Sequence, residues 1–364
     1  MSPADWPDLG PGEMSPRERV FTALSHKQPD RVPCDLWAVP EVWQRLRAFF
    51  GGVRQAEVLR RLRVDVRWVV PGYVGPRRTL PGGITVGPYG SWRKEQRHAF
   101  GVYDGYAGHP LAEALTASDV HQWDWPRTEY WDVNSVIPQL DALDPQDDYF
   151  VCYDLGGIFE RSWGLLGLER FLINLVMKPE VPCAIMQHMT DLYVATATRL
   201  LEVAEGRVHM IYTWDDMAHQ RGLIISPDLW RKYIVPCHQR LNAAIRQFDV
   251  KIMYHSCGAI YPLIPDLIQL LGIDVLQSLQ PRADHMDMPR IKEEFGERLA
   301  FHGGVDIQRT LPHGTLDEVR AEVRERCTVL GRGGGYILAA AHYIQNDAPT
   351  ENILTMYTTS RELS

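Results

Sequence analysis

The sequence predicts an α/β fold, a (β/α)8 TIM barrel, and three observations carry that expectation. Eight short apolar runs, mostly β-branched or aromatic, are continuous rather than alternating, as strands covered on both faces are. Helix-length amphipathic stretches separate many of them, which favours parallel strands joined by helical crossovers. Polar residues recur at the C-terminal ends of these runs, where core packing alone does not require them. A doubly wound open sheet is the alternative. No G-x-G-x-x-G follows the first run, however, and the GRGGG at 331–335 precedes a strand instead of opening a helix.

Residues 1–14 read as a loose extension. Ser15 then caps a helix, with Pro16 in its first turn, Glu18 three residues after the cap, and Val20, Phe21 and Leu24 at helical spacing, ending near His26. The eight strands are expected over 31–38, 64–70, 149–157, 208–216, 250–258, 273–280, 299–306 and 335–342. Helices are expected from 39 to 50, 179 to 206, 226 to 248 (Ser226 cap, Pro227), 315 to 331 (Thr315 cap, Gly331 close) and 349 to 363. A barrel needs ~250 residues, so about a hundred of the 364 are surplus. They fall in the extension and in a Gly/Pro/Trp-rich insertion from about 71 to 148, after the second strand. Residues 15–364 are therefore expected to form one decorated barrel domain.

Lys+Arg total 38 against 46 Asp+Glu, a formal charge of −8. An acidic chain lacks the basic face that nucleic acid or an anionic membrane needs. The N-terminus has acids and prolines where a signal peptide has a basic start and an apolar core, and no run is long enough to cross a bilayer. The expectation is a cytoplasmic protein whose six cysteines stay reduced.

If the barrel holds, active residues come from the C-terminal strand ends. These supply Asp35 from the first strand, Asp154 from the third, Asp215 and Asp216 from the fourth, and His255 and Cys257 from the fifth. The seventh supplies His302 and Asp306, and the eighth His342. The sharpest local signal is Tyr254-His255-Ser256-Cys257-Gly258. Residues two apart in extended chain share a face, so this imidazole and this thiolate can bind one ion, and zinc favours such nitrogen and sulfur donors. A third ligand must come from elsewhere on the rim: His342, with His302 the competitor, and Asp154 or Glu160 as carboxylate alternatives or outer partners. Three protein ligands leave zinc's fourth position open, the catalytic arrangement. Trp37, Trp163, Trp214, Tyr254 and Tyr343 stand near the rim and would make an apolar, stacking pocket.

Five blocks carry a resemblance: RERVFTALSHKQPDRVPCDLW, TWDDMAHQRGLIISPDLWRKYIVPCHQRL, YHSCG, FHGGVDIQRTLPHGT and GGGYILAAAHYIQNDAPTENI. In this order, over about 15–363, the chain resembles the uroporphyrinogen decarboxylase superfamily, whose fold is the barrel reached above. Decarboxylases of that superfamily carry an R-Q-A-G-R-Y segment after the first strand. Here the matching stretch runs Cys34-Asp35-Leu36-Trp37-Ala38-Val39-Pro40, without the guanidinium partners a polycarboxylate needs. The other branch, zinc-dependent methyltransferases using a corrinoid protein or a thiol, is marked by H-x-C and a distant Cys. His255 and Cys257 match the first two ligands, and His342 stands where those enzymes have the distant cysteine. An imidazole in place of a thiolate makes the metal a stronger Lewis acid, suited to an ether oxygen.

The resemblance implies one zinc per chain on His255, Cys257 and His342, and a corrinoid brought by a partner protein, since the chain has no D-x-H-x-x-G motif. It implies transfer of a methyl group from a small donor to a corrinoid protein or a thiol and, as in other barrels of the family, pairing with a second copy; the His342 imidazole and the aromatic rim point further to a methoxylated aromatic donor, hence O-demethylation. Asp215 or Asp216 would orient a water or protonate the departing oxygen. Two alternatives stay open at this point. One is a carboxy-lyase acting on a porphyrinogen or other acid through Asp35 and Asp216. The other is a ligand-binding barrel without turnover.

Overall fold

The structure is a computed structural model that describes residues 13–98, 101–143 and 148–363. The expected loose extension lies outside the described residues except for Glu13 and Met14, whose backbone N–H groups both donate to Asp30 (2.8 and 3.1 Å).

Seven strands form one parallel sheet in chain order: Val66–Val69, Phe150–Gly156, Met210–Trp214, Lys251–His255, Val275–Gln277, Ala300–Val305 and Tyr336–Ala340. The first expected strand is not a regular one. Residues 34–38 touch the last strand's side only through isolated bridges, Cys34 to Leu338 and Ala38 to Ile344. On the other side the Asp65 N–H donates to the Cys34 carbonyl at 2.9 Å, so this segment closes the ring as its eighth member. Its ladder is interrupted for a local reason: Pro33 has no N–H to give, and the Asp35 carboxylate takes the Leu36 N–H at 2.7 Å. The TIM-barrel expectation stands, with this irregular stave.

Side-chain alternation sorts each strand into two faces. Val66, Phe150, Cys152, Met210, Tyr212, Met253, Val275, Ala300 and Ile337 point inward and form the barrel's inner core, joined by Trp37. Helix Pro16–Leu24 adds Val20 and Leu24 to that core, and Phe21 packs edge-on to Phe150 with ring centroids 5.0 Å apart. Its Ser15 cap accepts from the Glu18 N–H at 3.1 Å, as its sequence requires. The larger core lies between the strands' outer faces and the helices, among them Pro40–Phe49, Glu180–Ala204, Leu316–Leu330 and Thr350–Arg361. The expected helix over 226–248 is broken into Pro227–Leu229, a π-turn over Trp230–Ile234, and Val235–Ile245. The break precedes Pro236, which has no N–H to return to the preceding turn.

The insertion has structure of its own: a four-stranded antiparallel sheet (Arg78–Leu80, Ile84–Val86, Trp92–His98, Gly101–Gly108) and a Thr116-capped helix, Ala117–His121. Tyr89 donates to the Leu155 carbonyl at 3.3 Å, and Tyr103 to the Gln345 side chain, so the insertion is tied to the end of strand Phe150–Gly156 and to the loop after Tyr336–Ala340. A cavity of about 280 Å³ within it, lined by Trp92, Trp123, Trp125 and Tyr130 among others, shares no residue with the mouth cavity described next. No helix is long and apolar enough to cross a membrane, among the described residues.

Candidate metal centre and active site

His255 is the last residue of its strand and points inward. Cys257 follows two residues on, and His342 stands two residues beyond the end of Tyr336–Ala340. One ligand atom from each lies within 4.8 Å of the others, the one such group of three among the described residues. His255 Nε2 is 3.2 Å from Cys257 Sγ, and the two imidazole centroids are 5.4 Å apart. Tetrahedral ligands at zinc's usual bond lengths stand ~3.3–3.8 Å from one another, so one thiol and two imidazoles fit such an ion in chemistry and nearly in spacing. The chain turns sharply after Cys257: Gly258 has φ +82°, and a Cβ there would lie 2.5 Å from the His219 carbonyl oxygen. Glycine is required for that turn.

Outer contacts aim these side chains. The His255 Nδ1–H donates to the Gln277 side-chain carbonyl, which leaves Nε2 facing Cys257. The Asp216 carboxylate accepts the Cys257 N–H at 2.8 Å and lies 3.2 Å from His255 Nε2. Burial acts to lower the His255 pKa, but the charges of Cys257 and Asp216 outweigh it and hold the imidazole well above its ordinary value. Burial likewise acts to raise Asp216, and its contacts with His255 prevail, bringing it down to about 2. His342 is brought down to about 4 by burial and by His255, so it is neutral near pH 7 with a lone pair to give.

The remaining expected residues separate into distinct roles. Asp35 is buried and surrounded by donors: the Leu36 N–H (2.7 Å), Trp37 Nε1 (2.8 Å), Trp68 Nε1 (3.1 Å) and His302 Nε2 (3.0 Å). This geometry engages both Asp35 and His302 in anchoring two indoles, and His302 is outside the His255–Cys257–His342 group. Asp215 points the opposite way from its neighbours 214 and 216, out of the barrel. It accepts the backbone N–H groups of Phe159 and Glu160 (2.9 Å each), the first turn of helix Ile158–Leu166, and pairs with His238 Nε2 at 2.6 Å. The structure thus places Asp215 within the scaffold and turned away from the mouth, not among the groups with which the sequence reading sets it. Tyr254 also alternates outward, fully buried against His238 with centroids 5.2 Å apart, away from the mouth where the sequence reading sets it.

Trp37 and Tyr343 do line a cavity of about 200 Å³ at the mouth, together with Trp43, Trp68, Tyr212 and Asp154. Asp154 is raised to about 6 by burial and accepts Trp214 Nε1 at 3.2 Å. Glu160 is raised to about 7 by burial and then by the charges of Asp216 and Asp215. Trp163 packs on Tyr106 of the insertion, 4.9 Å between centroids, beside the mouth rather than in this cavity.

A family model described as Uroporphyrinogen decarboxylase (URO-D) matches residues 156–363, more than half of the chain. The chain belongs to the uroporphyrinogen decarboxylase family. Among curated relatives, a uroporphyrinogen decarboxylase of Syntrophotalea carbinolica is 25% identical over 55% of this chain and 53% of its own. A methylated-thiol–coenzyme M methyltransferase of Methanosarcina mazei is 26% identical over 54% and 48%, and a methylcobamide:CoM methyltransferase of Methanosarcina barkeri is 23% identical over 52% and 51%. The match thus spans about half the length of these curated relatives. A solved structure described as a methyltransferase from Methanosarcina mazei superposes with a TM-score of 0.66 at 19% identity, over 96% of this chain and 99% of that one, which supports the shared barrel fold.

Sequence reasoning missed Gln277, Trp68 and Tyr212 in this family member. Each shares the inward parity of a residue that was recognised, and that parity was the available signal: Gln277 pairs in register with both His255 and His302.

Proposed function

We propose that the chain is a methyltransferase that takes a methyl group from a small methoxylated aromatic donor and passes it to a corrinoid on a separate protein, with one zinc ion held by His255, Cys257 and His342. The observation that carries this reading is the convergence of one thiol and two imidazoles at the mouth, beside an aromatic cavity. The methyltransferase names of two relatives, one a methylcobamide enzyme, support it. The occupied Asp35 speaks against the carboxy-lyase alternative, which needs that carboxylate free for substrate. When bound, zinc supplies Lewis acidity toward the heteroatom that carries the methyl group.

The chain's own residues supply the rest. Gln277 accepts the His255 Nδ1–H and so turns Nε2 toward Cys257, the side on which an ion would be held. Asp216 stays anionic at neutral pH with a side chain 41% exposed, near enough to order a water or polar group there. Glu160, raised to about 7, keeps a proton to deliver to a departing oxygen. Trp37, Trp68, Tyr212 and Tyr343 hold a flat ring and exclude water.

The test is methyl transfer from 3-methoxybenzoate or anisole to free cob(I)alamin by zinc-loaded protein, followed by the methylcobalamin absorbance. Transfer by wild type that is absent in Cys257→Ala supports the reading. Metal-independent release of carbon dioxide from an acid, with no transfer, overturns it in favour of decarboxylation.

A further inference from the structure

Helix Ile158–Leu166, which begins where the third stave ends, carries a guanidinium that the scheme above does not use. Arg161 is partly buried, and its Nε is enclosed with no hydrogen-bond partner. Among the described residues it makes no ion pair. It is instead flanked by two aromatic faces, Tyr89 of the insertion and Trp214 of the fourth stave, each centroid 5.0 Å from its guanidinium carbon. A second guanidinium approaches from the insertion. Arg93 lies 3.6 Å over the Tyr106 ring and bonds only to the Ser91 hydroxyl (3.2 Å) and the Asp104 carbonyl (3.1 Å), again with no carboxylate partner among the described residues. Burial and the charge of Arg161 together hold Arg93 below its ordinary value, so the two cations sense one another.

Partly buried cations without a fixed counter-anion are costly, and proteins ordinarily pair them. The acids near Arg161 do not clamp it. Asp154 and Glu160 form no ion pair with it among the described residues and act on it only as nearby charges, while burial raises them to about 6 and about 7. Stacking on Tyr89 and Trp214 steadies the guanidinium and leaves its N–H edges for a ligand. The place is next to the mouth: Trp214, which carries Arg161 on its face, donates its own Nε1 to Asp154, and Asp154 lines the aromatic cavity.

We infer that Arg161, seconded by Arg93, is an anion subsite that takes a carboxylate on the small-molecule donor, which makes the donor class a methoxylated aromatic acid rather than a neutral ether. This rests on the methyl-transfer reading for the word donor, while the subsite itself does not depend on turnover. A carboxylate accepts two parallel N–H bonds from a guanidinium fork, the geometry for which arginine is suited.

The experiment measures binding of 3-methoxybenzoate and of anisole, its uncharged counterpart, to the zinc-loaded protein by calorimetry. Wild type is expected to prefer the acid by about 10- to 150-fold, the range for hydrogen bonds to a charged group. Arg161→Gln is expected to abolish that preference and leave anisole binding as it was, and Arg161→Lys to restore part of it. Equal affinity of wild type for the two compounds overturns the subsite without reliance on any variant, and so does an acid preference that survives in a folded Arg161→Gln. Arg161-dependent binding of the acid with no methyl transfer to cob(I)alamin upholds the subsite and retires the methyl-transfer reading, so the two failures are told apart.

Discussion

Replacing Asp215 by alanine separates scaffold from chemistry at a pair of adjacent acids. The carboxylate accepts two backbone N–H groups at 2.9 Å and the His238 imidazole at 2.6 Å, in full burial. Each hydrogen bond to a charged group contributes roughly 1.5–3 kcal/mol, and removing one partner of a buried pair costs about 3–5 kcal/mol. The three contacts share one carboxylate and are not additive, so a loss of about 4 kcal/mol is expected. A chain of 364 residues unfolds with an entropy of about 0.8 kcal/mol/K. The midpoint in scanning calorimetry should therefore fall by roughly 5 °C, while zinc content at 25 °C stays near one per chain. Asp216→Ala, which loses one backbone contact and the His255 contact at a more exposed site, should cost about 2 kcal/mol. An Asp215→Ala protein that melts within 1 °C of wild type yet loses metal or transfer would refute the assignment and return Asp215 to the reacting groups.

Glu160→Gln should alter how stability depends on pH. In the folded chain Glu160 titrates at about 7 rather than 4.5, so its contribution is present in acid, below the unfolded value, and is lost as pH rises through 7. Relative to wild type, Glu160→Gln should gain on the order of 3 kcal/mol between pH 4 and pH 8; parallel melting curves across that range would contradict the raised value. Gln277→Ala removes the acceptor for His255 Nδ1–H and should weaken zinc binding by about 10- to 100-fold in competition with a chromophoric chelator. Unchanged affinity would mean that the tautomer is set by something else.

Much of the fold was legible because a barrel strand covered on both faces leaves a run with no polar alternation, and seven such runs became strands. The eighth, 31–38, carries the same apolar signature, but Pro33 and the Asp35 side chain take its backbone out of the ladder. Neither competition is visible in hydropathy. The grouping of His255, Cys257 and His342 was legible because His255 and Cys257 are local in sequence and a barrel brings strand ends to one rim. Asp215 and Asp216 were read as equivalents, although neighbours on a strand must face opposite sides. Applied strictly, that parity would have sent Asp215 and Tyr254 outward and brought Gln277 in. Arg161 gave no sequence signal at all: its distinction is the lack of a carboxylate partner, which depends on how the insertion packs over the mouth.

The most direct test of the account is metal analysis with zinc-edge X-ray absorption on purified wild type, Cys257→Ala and His342→Ala. The account predicts about one zinc per wild-type chain, with a first shell of one sulfur and two imidazole nitrogens from the protein. It predicts loss of the sulfur together with most of the metal in Cys257→Ala, and at least a tenfold weaker hold in His342→Ala. A wild-type protein that takes up no zinc, or holds it in a shell without sulfur, would contradict it.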